Sequence, residues 1–117
     1  MTNPSPIQLI VYSVSDVDAA KKVFGAFLGA APYVDGKYYV GYRVGDLEIG
    51  LDPNAAAQGF SAPIAYVDTD DMQSSLKALV EAGAEVVQEP TEVGGGLSVT
   101  RPKDADGNFL GLRQASS

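Results

Sequence analysis

Apolar positions recur along the chain first at strand-like and then at helix-like spacing. Ile7 to Val14 is a β-rich run, and Ser15 with Asp18 three residues later makes a capping-box-like opening. Val17, Ala20, Phe24, Phe27 and Leu28 then fall at helical intervals, with Gly29 where a left-handed C-cap is expected. This predicts a strand followed by an amphipathic helix that stops near Leu28. Tyr33 to Asp35, Lys37 to Val44 and Asp46 to Leu51 read as three further strands, divided by the turn dipeptides Asp35-Gly36 and Gly45-Asp46. The predicted order is β-α-β-β-β.

The same order returns. At an offset of 54 positions Leu9-Ile10-Val11-Tyr12 aligns with Pro63-Ile64-Ala65-Tyr66, Ser15-Asp16 with Thr69-Asp70, and Gly29-Ala30 with Gly83-Ala84. Two copies of one module are the natural reading of such a repeat. The second copy is predicted as a strand from Ala62 to Val67 and a helix from Asp70 to Ala82. Thr69 is the expected N-cap, and Met72, Leu76, Leu79 and Val80 are expected to face inward. Its last strands are placed at Glu85 to Glu89, Leu97 to Arg101 and Phe109 to Gln114. Residues 52–61, with Pro53, Asn54, three alanines and Gly59, read as the linker between modules 7–51 and 62–114 of a single domain. A module of this size buries little surface alone, so the two are expected to pair, within one chain or between chains.

Composition narrows the chemistry. With 45% apolar and 20% charged residues, the chain has enough to bury and is expected to fold. It has no cysteine, which excludes disulfides, thiolate nucleophiles and Cys-based zinc sites. It has no histidine either, which removes the commonest neutral-pH general base and the commonest transition-metal ligand. A net charge of −7 opposes nucleic-acid binding and tolerates a cationic ligand. No run is long and apolar enough for a membrane span, and the start lacks the features of a signal peptide, so a cytoplasmic protein without a membrane partner is expected.

Two motifs carry a resemblance. The segment VYSVSDVDAAKKVFGAFLGA runs from an apolar strand through Ser-Asp into a helix with Val23-Phe24, and closes on Leu28-Gly29. Near the end, Asp104-Ala105-Asp106-Gly107-Asn108 leads into Phe109-Leu110-Gly111-Leu112. Together with the repeat, these resemble the glyoxalase, bleomycin-resistance and extradiol-dioxygenase (vicinal oxygen chelate) superfamily over nearly the whole chain. Ala105 departs from the family's Asp-Pro-Asp-Gly-Asn turn. The resemblance implies an α+β fold of two βαβββ modules, a cupped mixed sheet with helices outside, ligands held in the cup, and a homodimer. A ferredoxin-like α+β sandwich is the competing architecture.

Metal-using relatives take one ligand from the first and one from the last strand of each module. Carried over, these positions are Leu9, Glu48, Pro63 and Gly111. Three of them offer no N, O or S side-chain donor, so neither a metal nor another cofactor is expected. The Asp104 to Asn108 segment lacks the EF-hand Gly and Glu and reads as a turn. Gly94-Gly95-Gly96 lacks a following Lys-Ser or Lys-Thr and reads as a flexible loop.

Period-two alternation assigns the rest of the cup. It points Leu9, Val11 and Ser13, then Tyr39, Gly41 and Arg43, then Glu48 and Gly50 inward, with Ser98, Thr100, Phe109, Gly111 and Arg113 from the second module. Val40, Tyr42, Val44, Leu47, Ile49 and Leu51 are left for the helix-packed face. The bland reading of Glu48 is an ion pair with Arg43 or Arg113. Three functions follow in order. The first is a metal-free binding protein for an aromatic or cationic small molecule, with Leu9, Val11, Ser13, Tyr39, Arg43, Ser98, Thr100, Phe109 and Arg113 contacting the ligand. The second is a metal-independent lyase or isomerase using Glu48 as base, and the third a metal-dependent glyoxalase or dioxygenase. A cup filled by its own side chains is the reading without function.

Overall fold

The computed structural model describes residues 6–60 and 63–115. The chain divides into two compact units, one of Gln8–Ile64 and the other from Ala65 onward. The first carries β1 (Ile7–Ser13), α1 (Val17–Leu28), β2 (Val34–Asp35), β3 (Val40–Val44), β4 (Leu47–Asp52) and a 3-10 turn at Ala56–Gln58. Its strands lie in the order β2-β3-β4-β1, with β1 parallel to β4 and the other neighbours antiparallel. The second carries β5 (Ile64–Asp68), α2 (Met72–Glu81), β6 (Thr91–Gly94), β7 (Leu97–Thr100) and β8 (Leu110–Ala115), in the order β5-β8-β7-β6 with β5 parallel to β8. The fold is α+β, with the β-α-β-β-β order realised twice. Among the described residues, no helix is long and apolar enough to cross a membrane.

In the first unit, α1 begins at Asp16, whose Oδ1 accepts the Ala19 N–H at 3.1 Å. It ends on Gly29 at φ 64°, a conformation glycine adopts without Cβ strain. Val17, Ala20, Phe24 and Leu28 pack on Val40, Tyr42, Ile49 and Leu51 of the sheet. The Phe24 ring stands 4.9 Å from that of Tyr12. The Tyr42 hydroxyl donates to the Lys21 carbonyl at 3.0 Å, and burial raises its pKa. Two expectations fail here. Phe27 is 76% exposed, because the apolar stripe is narrow and this position falls on its flank; Val44 is exposed at the strand end.

In the second unit, Met72, Leu76 and Leu112 form the buried cluster, joined by Leu79 and Val86. Val80, expected inward, is exposed. The strand expected at Glu85 to Glu89 is instead a connection: Glu85 makes an isolated bridge to Lys103, and the Gln88 carbonyl accepts the Thr100 hydroxyl. The edge strand is β6, and Gly94, Gly95 and Gly96 turn tightly into β7 with φ of 97°, 62° and 74°. This is a hairpin turn that three successive residues at positive φ make glycine-specific. The Asp104 turn is as expected: its Oδ2 accepts the Asn108 side-chain amide at 3.0 Å and its Oδ1 the Asn108 and Asp106 N–H groups at 2.8 and 2.9 Å, and these bonds, the Asn108 side chain first, lower the Asp104 pKa.

The cap of α2 is Asp71 and not Thr69. Asp71 accepts the Ser74 N–H at 3.1 Å and the Ser74 hydroxyl at 2.9 Å, and these bonds hold its pKa below 3.8. A carboxylate with a depressed folded pKa stabilises the fold above its unfolded value and loses that contribution as pH falls through the folded one. Asp71→Ala is therefore expected to melt below the wild type at neutral pH, with the gap closing in acid below 3.8. Thermal melts of both proteins at the two pH values check this, and an equal gap at both would remove the charge from the explanation.

The caps also correct the repeat. Asp16 and Asp71 are 55 positions apart, so the strands before the helices correspond at 55 and not 54. A one-residue slip turns a strand's side chains to the other face. Val11, opposite Gly50, thus corresponds to Tyr66, opposite Gly111, whereas Tyr12 corresponds to Val67.

Candidate functional site

In each unit the strands have a helix-packed face and an open face, and register assigns residues to them. In the first unit, Leu9 lies across from Glu48 and Val11 from Gly50 on the parallel pair β1/β4. Gly50 faces Gly41, and Glu48 faces Arg43, on the antiparallel pair β3/β4. Since the alternate residues Ile49, Leu51, Val40 and Tyr42 pack under α1, Leu9, Val11, Gly41, Arg43, Glu48 and Gly50 share the open face. Ser13 lies farther along β1, across from Asp52.

Two glycines form the floor of this face and two tyrosines lie on it. A Cβ at Gly41 would stand 3.2 Å from the Tyr33 ring and 3.3 Å from the Tyr39 ring, and one at Gly50 only 2.8 Å from Tyr39 Cε1. Tyr33 therefore reaches from beside the edge strand β2, across Gly41, to donate its hydroxyl to the Glu48 carboxylate. Burial, then the Glu48 hydrogen bond and charge, raise the Tyr33 pKa, so the phenol stays a donor at neutral pH. The Arg43 guanidinium stands over the Tyr33 ring at 4.6 Å, within cation–π range. Tyr33 is absent from the residues expected in the cup: the sequence reading puts it at the start of a strand without assigning its face, whereas β2 begins only at Val34. The signal that marks it is Gly41, a strand glycine that signals close approach of another group.

The second unit brings together fewer of the expected residues. Arg113 lies across from Asp68 and grips it with Nε–Oδ1 at 2.7 Å and Nη2–Oδ2 at 3.2 Å. Ser98 and Thr100 lie on the face opposite to Gly111 and Arg113. Thr100 pairs with Leu112 of the α2 cluster, and Ser98 pairs with Gln114, whose side chain binds the start of α2. The reason is register: Val99, between them, is the residue opposite Arg113. The open face instead holds Tyr66, whose ring covers Gly111 and whose hydroxyl accepts the Arg101 Nε–H at 2.6 Å. Phe109 immediately precedes β8 and makes an isolated bridge to Lys103. A cavity of about 240 Å³ is lined by Asp68, Thr69, Asp70, Leu97, Arg113 and Ala115. That is below the size of most small-molecule pockets, roughly 300–1,000 Å³.

The donor set does not fit a transition metal. With the corrected register, the positions equivalent to Leu9 and Glu48 are Ile64 and Phe109 rather than Pro63 and Gly111. Neither pair provides a donor, and the Glu48 carboxylate is engaged by Tyr33. A divalent ion needs several N, O or S ligands at about 2.0–2.3 Å. Among the described residues, no three His, Cys, Asp or Glu side chains come together.

A family model described as the glyoxalase/bleomycin resistance protein/dioxygenase superfamily matches residues 6–112. No curated protein sequence matches the chain. Among solved structures, an NAD-dependent benzaldehyde dehydrogenase from Legionella pneumophila superposes with a TM-score of 0.76 at 12% identity, covering 92% of this chain and 98% of that one. A glyoxalase/bleomycin resistance protein/dioxygenase superfamily member from Vibrio splendidus gives 0.67 at 13% identity, covering 91% and 96%. A Streptomyces coelicolor methylmalonyl-CoA epimerase gives 0.67 at 14% identity, covering 97% and 99%. At these identities the likeness is one of fold.

Proposed function

The chain belongs to the glyoxalase/bleomycin resistance protein/dioxygenase superfamily, and we propose that it acts there as a metal-independent binding protein for a small aromatic or cationic compound. The observation that carries this reading is the open face of Gln8–Ile64. The Tyr33 and Tyr39 rings lie on a glycine floor beside the Glu48 carboxylate, where an aromatic ligand would stack and a cationic group would find a counter-charge. The acidic balance of the chain, −7, favours a cation over an anion. A homodimer is part of the proposal, and native mass measurement of the purified protein tests it.

Titration with the cation phenyltrimethylammonium, followed by calorimetry, tests the binding reading. Glu48→Gln is expected to weaken its binding by roughly tenfold to a hundredfold, the scale of a lost charged contact, and to leave a neutral aromatic such as benzyl alcohol within about twofold. Absence of cation binding in the wild type, or its survival in Glu48→Gln, would remove this reading. Catalysis with Glu48 as base has less support, because the Glu48 carboxylate already accepts the Tyr33 hydroxyl and a substrate proton would have to displace that contact.

A further inference from the structure

We infer that Arg43 is a resident competitor for the ligand cation: its guanidinium occupies the place over Tyr33, opposite Glu48, that a bound cation would take. The inference rests on the reading of this face as a ligand site and adds how that site is occupied before ligand arrives.

Three observations carry it. The Arg43 guanidinium is 4.6 Å from the Tyr33 ring centroid, inside the roughly 6 Å range of a cation–π contact. Arg43 and Glu48 are directly paired across β3 and β4, so cation and carboxylate share one face of the sheet at adjacent positions. The Tyr33 hydroxyl donates to that same carboxylate. A phenol that donates to an anion gains electron density in its ring, which strengthens the attraction for a cation above it. Guanidinium, ring and carboxylate thus form a closed set in which each charge has an internal partner.

The set is also built to open. Arg43 is near the end of β3 and solvent-exposed, and Tyr33 is 49% exposed beside the two-residue strand β2. An exposed side chain exchanges rotamers rapidly, so the guanidinium can leave the ring without disturbing the sheet. Displacement exchanges one cation–π contact for another, so the net affinity for a cation is reduced by whatever Arg43 gains where it stands. A neutral aromatic ligand can stack on the neighbouring Tyr39 ring over Gly50, leaving Arg43 in place, and is spared this penalty.

The test is calorimetric titration of wild type, Arg43→Met and Arg43→Lys with phenyltrimethylammonium and with neutral benzyl alcohol. Arg43→Met is expected to bind the cation about three- to tenfold more tightly than wild type, the scale of one partly solvated cation–π contact, with benzyl alcohol changed by less than about twofold. Arg43→Lys, which keeps the charge, is expected to stay near wild type. Arg43→Gln provides a second neutral variant should Arg43→Met fold poorly. Unchanged or weaker cation binding in the neutral variants, with wild-type binding intact and sensitive to Glu48→Gln, overturns the competitor role and leaves the binding reading standing. No cation binding by any of these proteins, wild type included, overturns both.

Discussion

Gly111→Ala is expected to lower stability by about 1–3 kcal/mol, the range for overpacking a filled site. A Cβ at this position would stand 2.6 Å from Tyr66 Cγ, an atom that turning the ring about its own axis does not move. Tyr66 is only 4% exposed, and its hydroxyl is held by Arg101. Relief would have to come from the backbone of β5 or β8. Urea denaturation of the single variants and of the pair measures this. If the ring is the obstacle, Gly111→Ala costs less in a Tyr66→Ala background than alone; an additive result would place the cause elsewhere. Gly50→Ala provides a contrast, since its Cβ meets the outer part of the half-buried Tyr39 ring, which can swing away. It should disturb the ligand face more than the fold.

The largest loss is expected at Leu51. Its side chain is fully buried at 0% exposure and packs with Val40, Tyr42 and Ile49 against the inner face of α1. Leu51→Ala removes that buried surface and leaves a cavity, at a cost of about 2–5 kcal/mol. Natural domains have roughly 5–15 kcal/mol in total, so this one change consumes much of the margin. Phe27→Ala, on the same helix but exposed, should stay within about 0.5 kcal/mol of wild type. Chemical denaturation midpoints separate the two; a similar loss at both would mean that the outer side of α1 is covered in solution.

The helix-packed faces were the most legible part of the sequence. Val17, Ala20, Phe24 and Leu28, and Val40, Tyr42, Ile49 and Leu51, are where period counting places them, because burial of apolar surface is a property of each segment's own pattern. The open face of the first module was legible for a related reason: once Ile49 and Leu51 face the helix, Glu48 and Gly50 must point the other way. Counting failed where spacing alone set the phase. Aligning the modules at 54 put Tyr66 with Tyr12, whereas the paired register matches it to Val11 on the open face. The same kind of error placed Ser98 and Thr100 with Arg113, although Val99 is the residue that faces it. The missing strand at Glu85 to Glu89 has a different cause. Its apolar residues matched a strand locally, but β7 paired with the next segment, where the three glycines allow a tight turn.

By itself, the sequence determined the module order, the family resemblance, the two helices with their apolar faces, and the poverty of metal donors, since all of these follow from residue type and local spacing. Tertiary structure alone decided which residue caps α2, which strand borders β7, and which side chains meet above Gly41 and Gly111. A hydrogen bond from Tyr33 to Glu48 joins residues whose proximity depends on strand register and on a glycine between them that leaves room. Such contacts are fixed by pairing across the sheet, and the linear pattern of a single strand contains the period of its side chains but not the partner they will face.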